Sequence, residues 1–127
     1  MLEVLKALGD ESRLRIVHLL LQGPLCVCEL EYVLAMSQTN VSRHLAKLKQ
    51  AKIVQNVKQG QWVNYQMDET FLANESALIE YLKEKFLSNA SFQEDLSSLL
   101  NHQVEWDNCL SPSRKYLQEK SNHKGAV

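Results

Sequence analysis

The apolar residues change their spacing partway along the chain, and that change limits the fold more than any other feature. Up to Lys49 they recur at helical intervals. Leu2, Leu5 and Leu8 form a short stripe stopped by Gly9. Asp10 can N-cap a second helix reaching about Gln22, with Leu14, Val17, Leu20 and Leu21 inward. Gly23-Pro24 ends it, because proline cannot continue a helix and restricts the residue before it. A short helix is expected from about Cys26 to Leu34, burying Leu30, Val33 and Leu34. Met36-Ser37 then forms a turn, and Ser37 caps a helix from Gln38 to about Lys49. Beyond it the period drops to two. Ile53, Gln55 and Val57 alternate with Val54, Asn56 and Lys58; after Gln59-Gly60, Val63, Tyr65 and Met67 alternate with Trp62, Asn64 and Gln66. Two alternating runs about a glycine-containing turn predict a β-hairpin. Helical spacing then returns. One helix is expected over about Glu69 to Phe86, on Leu72, Ile79, Leu82 and Phe86, and another over Ser91 to Val104. After Ser111-Pro112 the chain is polar, and Ser121 to Val127 is expected to fray.

Composition bounds the partners. The 127 residues suit one domain or a domain with a tail, and 45% hydrophobic against 23% charged residues excludes global disorder. The formal charge of −1 argues at first against nucleic acid. Resolved along the chain it reads differently: residues 1–31 carry net −2, residues 68–127 net −4, and residues 32–67 hold five bases (Arg43, Lys47, Lys49, Lys52, Lys58) and no acid. Three cysteines, with Cys26 and Cys28 close together and Cys109 remote, are no secreted disulfide framework, so reduced thiols and a cytoplasmic location are expected. The longest apolar run, Ile16 to Leu21, is interrupted by His18 and too short for a bilayer, and Met1-Leu2-Glu3-Val4 lacks the features of a signal peptide.

A short helix, a tight turn, a second helix with a donor-rich face and then a hairpin is the order of a winged helix-turn-helix. The second helix keeps Val41, Leu45 and Leu48 on one face and offers Gln38, Thr39, Ser42, Arg43, His44 and Lys47 on the other. Gln, Thr, Ser and Arg near a helix N-terminus can read base edges in the major groove. Lys58, Gln59, Gly60 and Gln61 at the hairpin tip suit neighbouring phosphates. The plainer reading is a solvated polar helix face beside an ordinary hairpin.

Four stretches together resemble one family. Leu5-Lys6-Ala7-Leu8-Gly9-Asp10-Glu11-Ser12-Arg13-Leu14-Arg15-Ile16 is similar to the opening of the ArsR/SmtB family of bacterial metal-responsive repressors. Leu25-Cys26-Val27-Cys28-Glu29-Leu30 resembles that family's metal box, Ser37 through Leu45 its recognition helix, and Lys58 through Tyr65 its wing. The resemblance spans roughly residues 2–86 and is closest to the arsenite-sensing type. It implies a homodimer joined through the first helix and the long helix after the wing, bound to double-stranded operator DNA in its ligand-free form. It assigns residues 1–88 to a winged helix-turn-helix DNA-binding and dimerisation domain, and leaves 89–127 as a C-terminal helical extension with a polar tail. Gln38, Thr39, Ser42, Arg43 and His44 become DNA contacts, with Asn40 at the edge of that face.

Cys26 and Cys28 are the chemically loaded pair. Thiolates select soft ions, and a helix start favours the thiolate. On a regular helix, however, residues i and i+2 point about 200° apart, so one ion is gripped by both only if the helix start unwinds. Two small buried hydrophobes are the plainer reading. The family's arsenite sensors often carry a third cysteine three residues after the pair, where this chain has Glu31. An arsenite or antimonite site of three sulfurs would then draw on Cys109, from the same or the partner subunit; two-thiolate binding with Cys109 a bystander stays open. The family's other sites find no match: no cysteine precedes the first helix, and residues 69–87 contain no Asp or His. His102, Glu105, Asp107, Cys109 and His123 match no ligand spacing. The expected function is a repressor released by arsenite or antimonite. The alternatives are a thiol-redox or other soft-metal sensor on the same fold and a winged helix that binds protein. An enzyme is disfavoured, because neither a base nor a phosphate loop accompanies the cysteines.

Overall fold

A computed structural model describes residues 1–101. Helix α1 (Leu2–Leu8) is followed by α2 (Glu11–Leu20), the short strand β1 (Leu25–Cys26), α3 (Val27–Leu34) and α4 (Gln38–Gln50). The hairpin is β2 (Val54–Gln59) and β3 (Trp62–Met67), and α5 (Glu69–Asn74), α6 (Ser76–Leu87) and α7 (Ala90–Asn101) complete the order. This is the expected mainly helical winged helix-turn-helix. No helix among the described residues is long and apolar enough to cross a membrane.

The local signals act as their chemistry dictates. The Asp10 carboxylate accepts from Arg13 N at 3.1 Å, the Ser37 hydroxyl from Asn40 N at 3.2 Å, and the Asp68 carboxylate from Phe71 N at 3.0 Å, each satisfying an orphan N–H of a first turn. Gly60, at φ +63°, opens the two-residue hairpin loop, where a side chain would be strained. Helix α4 ends without glycine. Lys52 takes the left-handed conformation (φ 61°), Lys52 N–H donates to Lys49 O and Ile53 N–H to Leu48 O, while Leu48 and Ile53 are both buried. This is a complete Schellman motif with lysine in glycine's place.

Two expectations need correction. The single helix over Glu69 to Phe86 is two, broken at Glu75, whose φ −117°, ψ 36° is not helical. Asn74 and Ser76 flank the break, and both are residue types whose side chains tend to compete with helical backbone hydrogen bonds. The hairpin gains a third strand: β1 pairs antiparallel with β3, Leu25 opposite Tyr65 and Cys26 opposite Asn64, so the sheet order is β1-β3-β2. Two residues are too few to show a period. The last described helix, α7, joins the core. It packs on α2, α3 and α6, and Leu99 is fully buried in the same core as Ile16, Leu19, Leu30 and Leu45.

Candidate nucleic-acid interface and thiol site

Helix α4 presents its two faces as its sequence demands. Val41, Leu45 and Leu48 are fully buried, which leaves Gln38, Thr39, Ser42, Arg43 and Lys47 exposed on the other side. Arg43 is steadied by a hydrogen bond from its Nη2 to Asn40 Oδ1 at 3.2 Å. In the wing, Lys58 and Gln61 are exposed and Gln59 ends β2. The structure thus brings to the surface every expected α4 contact except one. His44 is 8% exposed and turns inward, its Nδ1 3.4 Å from Arg13 Nη1. Its position, three residues after Val41 and one before Leu45, puts it on the edge of the apolar stripe, so it does not belong with the outward residues. Burial pushes its pKa below the ordinary 6.5; Asp10 opposes this, and Arg13 and Arg43 add to it.

The thiol pair departs from expectation in a useful way. Cys26 is the N-cap of α3 and still extended (φ −90°, ψ 166°), while Cys28 lies inside the first turn. The 200° divergence of two helical residues therefore never arises: the sulfurs converge to 2.8 Å without any unwinding. Glu29 completes a capping box, its Oε1 accepting from Cys26 N–H at 3.1 Å. Its carboxylate is fully buried, held one residue from the cysteines. Cys26 is buried and Cys28 half-buried. Among the described residues no group of three metal-ligating side chains forms. Cys109, like His102, Glu105, Asp107 and His123, lies outside the described residues.

The position of Cys26 matters as much as its sulfur. Its backbone pairs with Asn64 of wing strand β3, and its helix α3 packs on α4. Cys26 thus joins the wing strand to the helix that supports α4. Sequence reasoning missed Glu29, although Cys-x-x-Glu mimics the Ser/Thr-x-x-Glu capping signal, and missed Arg13, which no local pattern marks as a partner of His44.

Comparison with known proteins agrees with this geometry. Residues 10–56 match the family described as "Bacterial regulatory protein, arsR family". An arsenic resistance transcriptional regulator of Pseudomonas putida is 46% identical over 65 residues, 50% of this chain and 51% of that protein. A cadmium resistance transcriptional regulatory protein of Listeria innocua is 36% identical over 84 residues, 65% of this chain and 71% of that protein. Among solved structures, a homodimeric winged helix-turn-helix DNA-binding domain from Mycobacterium bovis, a possible ArsR-family transcriptional regulator, superposes with a TM-score of 0.57. It is 29% identical and covers 65% of this chain and 77% of that one. The chain spans about half the length of the curated arsenic regulators it matches.

Proposed function

The chain belongs to the arsR family of bacterial regulatory proteins, and from that premise we propose that it is a cytoplasmic transcriptional repressor. It binds double-stranded operator DNA as a homodimer and is released when arsenite or antimonite binds the thiolates of Cys26 and Cys28. The DNA face consists of Gln38, Thr39, Ser42, Arg43 and Lys47 on α4 with Lys58, Gln59 and Gln61 in the wing. Bases are read from α4 and phosphates are held by the lysines. Residues 1–88 carry DNA binding and dimerisation, and the extension 89–127 supplies Cys109 as the third sulfur.

The observation that carries this reading is the convergence of the two sulfurs at the start of α3. Once both are reduced, two sulfurs side by side are soft donors that suit a thiophilic centre. The positive end of the helix dipole favours thiolate charge there. Because Cys26 joins β3 on one side and starts α3 on the other, a ligand drawing the sulfurs into its own geometry pulls on the wing and on the support of α4 together. A coupling of about 1–3 kcal/mol is what such regulators need.

The test is a titration of reduced protein on its own promoter fragment with As(III), Sb(III), Cd(II), Zn(II) and peroxide, repeated with C26S, C28S and C109S. Release by As(III) and Sb(III) that C26S and C28S abolish is the expected result. Release by peroxide alone would favour a redox sensor, and by Cd(II) alone a different soft-metal sensor. A C109S protein with unchanged As(III) affinity and unchanged sulfur count by X-ray absorption would remove Cys109 from the site.

A further inference from the structure

Three elements meet at the Arg13 guanidinium. Its Nε donates to Ala7 O at 2.6 Å and its Nη2 to Lys6 O at 3.4 Å, two carbonyls in the last turn of α1. Its own N–H is held by the Asp10 cap at the start of α2. Its Nη1 lies 3.4 Å from Nδ1 of His44, on the inner edge of α4. Arginine only donates, so this contact is a hydrogen bond in the neutral tautomer that carries its proton on Nε2 and leaves Nδ1 as the acceptor. Cations at a helix C-terminus also interact favourably with its exposed carbonyls.

Resting on the reading of α4 as the DNA-contacting helix, we propose that Arg13 is a positioning residue for DNA recognition: through His44 it clamps α4 to the end of α1. The remaining inward contacts of α4, from Val41, Leu45 and Leu48, are apolar. Apolar burial is non-directional, so it holds a helix in place but tolerates small rolls and slides along the interface. A hydrogen bond is directional. Ser42 and Arg43 immediately precede His44, so a roll that breaks the clamp moves both of them relative to a base edge. The clamp also ties α4 to α1, whose outer face is the proposed subunit contact, and so fixes the orientation of each reading helix in the dimer.

The clamp works only while Nδ1 has a free lone pair. The groups facing His44 are Asp10 and Arg13 from the α2 side and Arg43 from α4 itself. Glu3, Lys6 and Lys47 line, with Arg13, a neighbouring cleft of about 420 Å³. Protonation would turn the acceptor into a donor and set a cation among these bases, with Asp10 the lone acid among the groups facing it. Operator affinity therefore falls as the pH drops through the pKa of His44, which burial holds below 6.5.

The experiment measures operator affinity by fluorescence anisotropy at fixed ionic strength, at about pH 8 and about pH 5.5. It uses the full chain and the variants H44N, H44L and R13K. It is paired with ¹⁵N spectra of the imidazole and amide hydrogen exchange. Asparagine keeps an acceptor near Nδ1 and does not titrate; leucine keeps bulk alone; lysine cannot span three acceptors. H44L and R13K should bind about tenfold more weakly at the higher pH, the cost of losing a charge-assisted hydrogen bond, with unchanged melting cooperativity. H44N should bind near wild type and lose the acid dependence. A protonated Nδ1 in the wild-type spectrum, or H44L and R13K binding like wild type, overturns the clamp. If wild type binds no DNA, the repressor reading fails, and exchange then decides the clamp alone. R13K and H44L must speed exchange along α4 and leave α6 unchanged, and a uniform pattern overturns it.

Discussion

Cys26 and Cys28 converge because only one of them is helical. Their types and spacing are plain in the sequence. What sequence cannot supply is the backbone angle of a cap residue, and that angle decides whether two sulfurs oppose or meet. His44 teaches the same lesson from the other side. A polar residue at the border of an apolar stripe can turn either way, and here Arg13, thirty-one positions away, draws it inward. The exposed lysines need no such partner, and their outward positions are legible from period alone. Lys47 and Lys58 touch phosphate in the proposed complex and carry no base information. K47A and K58A should each lower the slope of log K against log salt by about one per subunit and weaken all sequences alike. Affinities over a salt series on specific and random DNA would check this; a changed sequence preference would move these residues from phosphate to base contact.

At the scale of elements, periodicity identified α1, α2, α4, the hairpin and α7, because each is long or regular enough to show its period. It failed at β1, which is two residues long, and at Glu75, where no Pro or Gly marks the break. It also gave α7 no docking site, since that depends on contacts far apart in sequence. Arg15 holds Asp95 in a two-pronged ion pair, both contacts 2.8 Å, and His18 lies tilted against Phe86 and edge-to-face with Phe92, ring centroids 5.0 and 5.6 Å away. Among the described residues His18 Nδ1 has no hydrogen-bond partner. Burial pushes its pKa below 6.5 and Asp95 offsets this only in part. The unfolded chain therefore takes up a proton at this site from about pH 6.5 downward, while the folded chain resists until lower pH. Stability is complete above 6.5 and is lost as the pH falls through the folded value. A thermal melt series should show Tm dropping by several degrees across that window. H18L, which removes both the charge and the unpartnered nitrogen, should flatten the drop. A drop of equal size in H18L would place its origin elsewhere.

For the molecule as a whole, the low net charge conceals a division of labour. The all-basic stretch of residues 32–67 coincides with α4 and the wing, and the acids lie on the elements around them. A second division concerns apolar surface. The stripes of α1 and α6 are in part internal: Leu8, Ile79 and Phe86 are buried within the chain itself. What stays outside is Met1, Leu2 and Leu5 on α1, the last two 65% and 51% exposed, and Tyr81 and Leu87 on α6. Large apolar side chains left exposed on two helices are what a subunit contact requires, and two-fold related α4 helices are what a pseudo-palindromic operator requires. An acid introduced at Leu5 should therefore separate the subunits without disturbing the core, since its side chain is directed to solvent in the single chain. Sedimentation of L5E should give a monomer where wild type gives a dimer, with the melting transition of each chain retained. Operator affinity should fall by far more than the loss of any single contact, because each half-site must then be bound independently. A dimeric L5E protein would move the contact off α1 and, with it, the link from the subunit interface through Arg13 to the recognition helix.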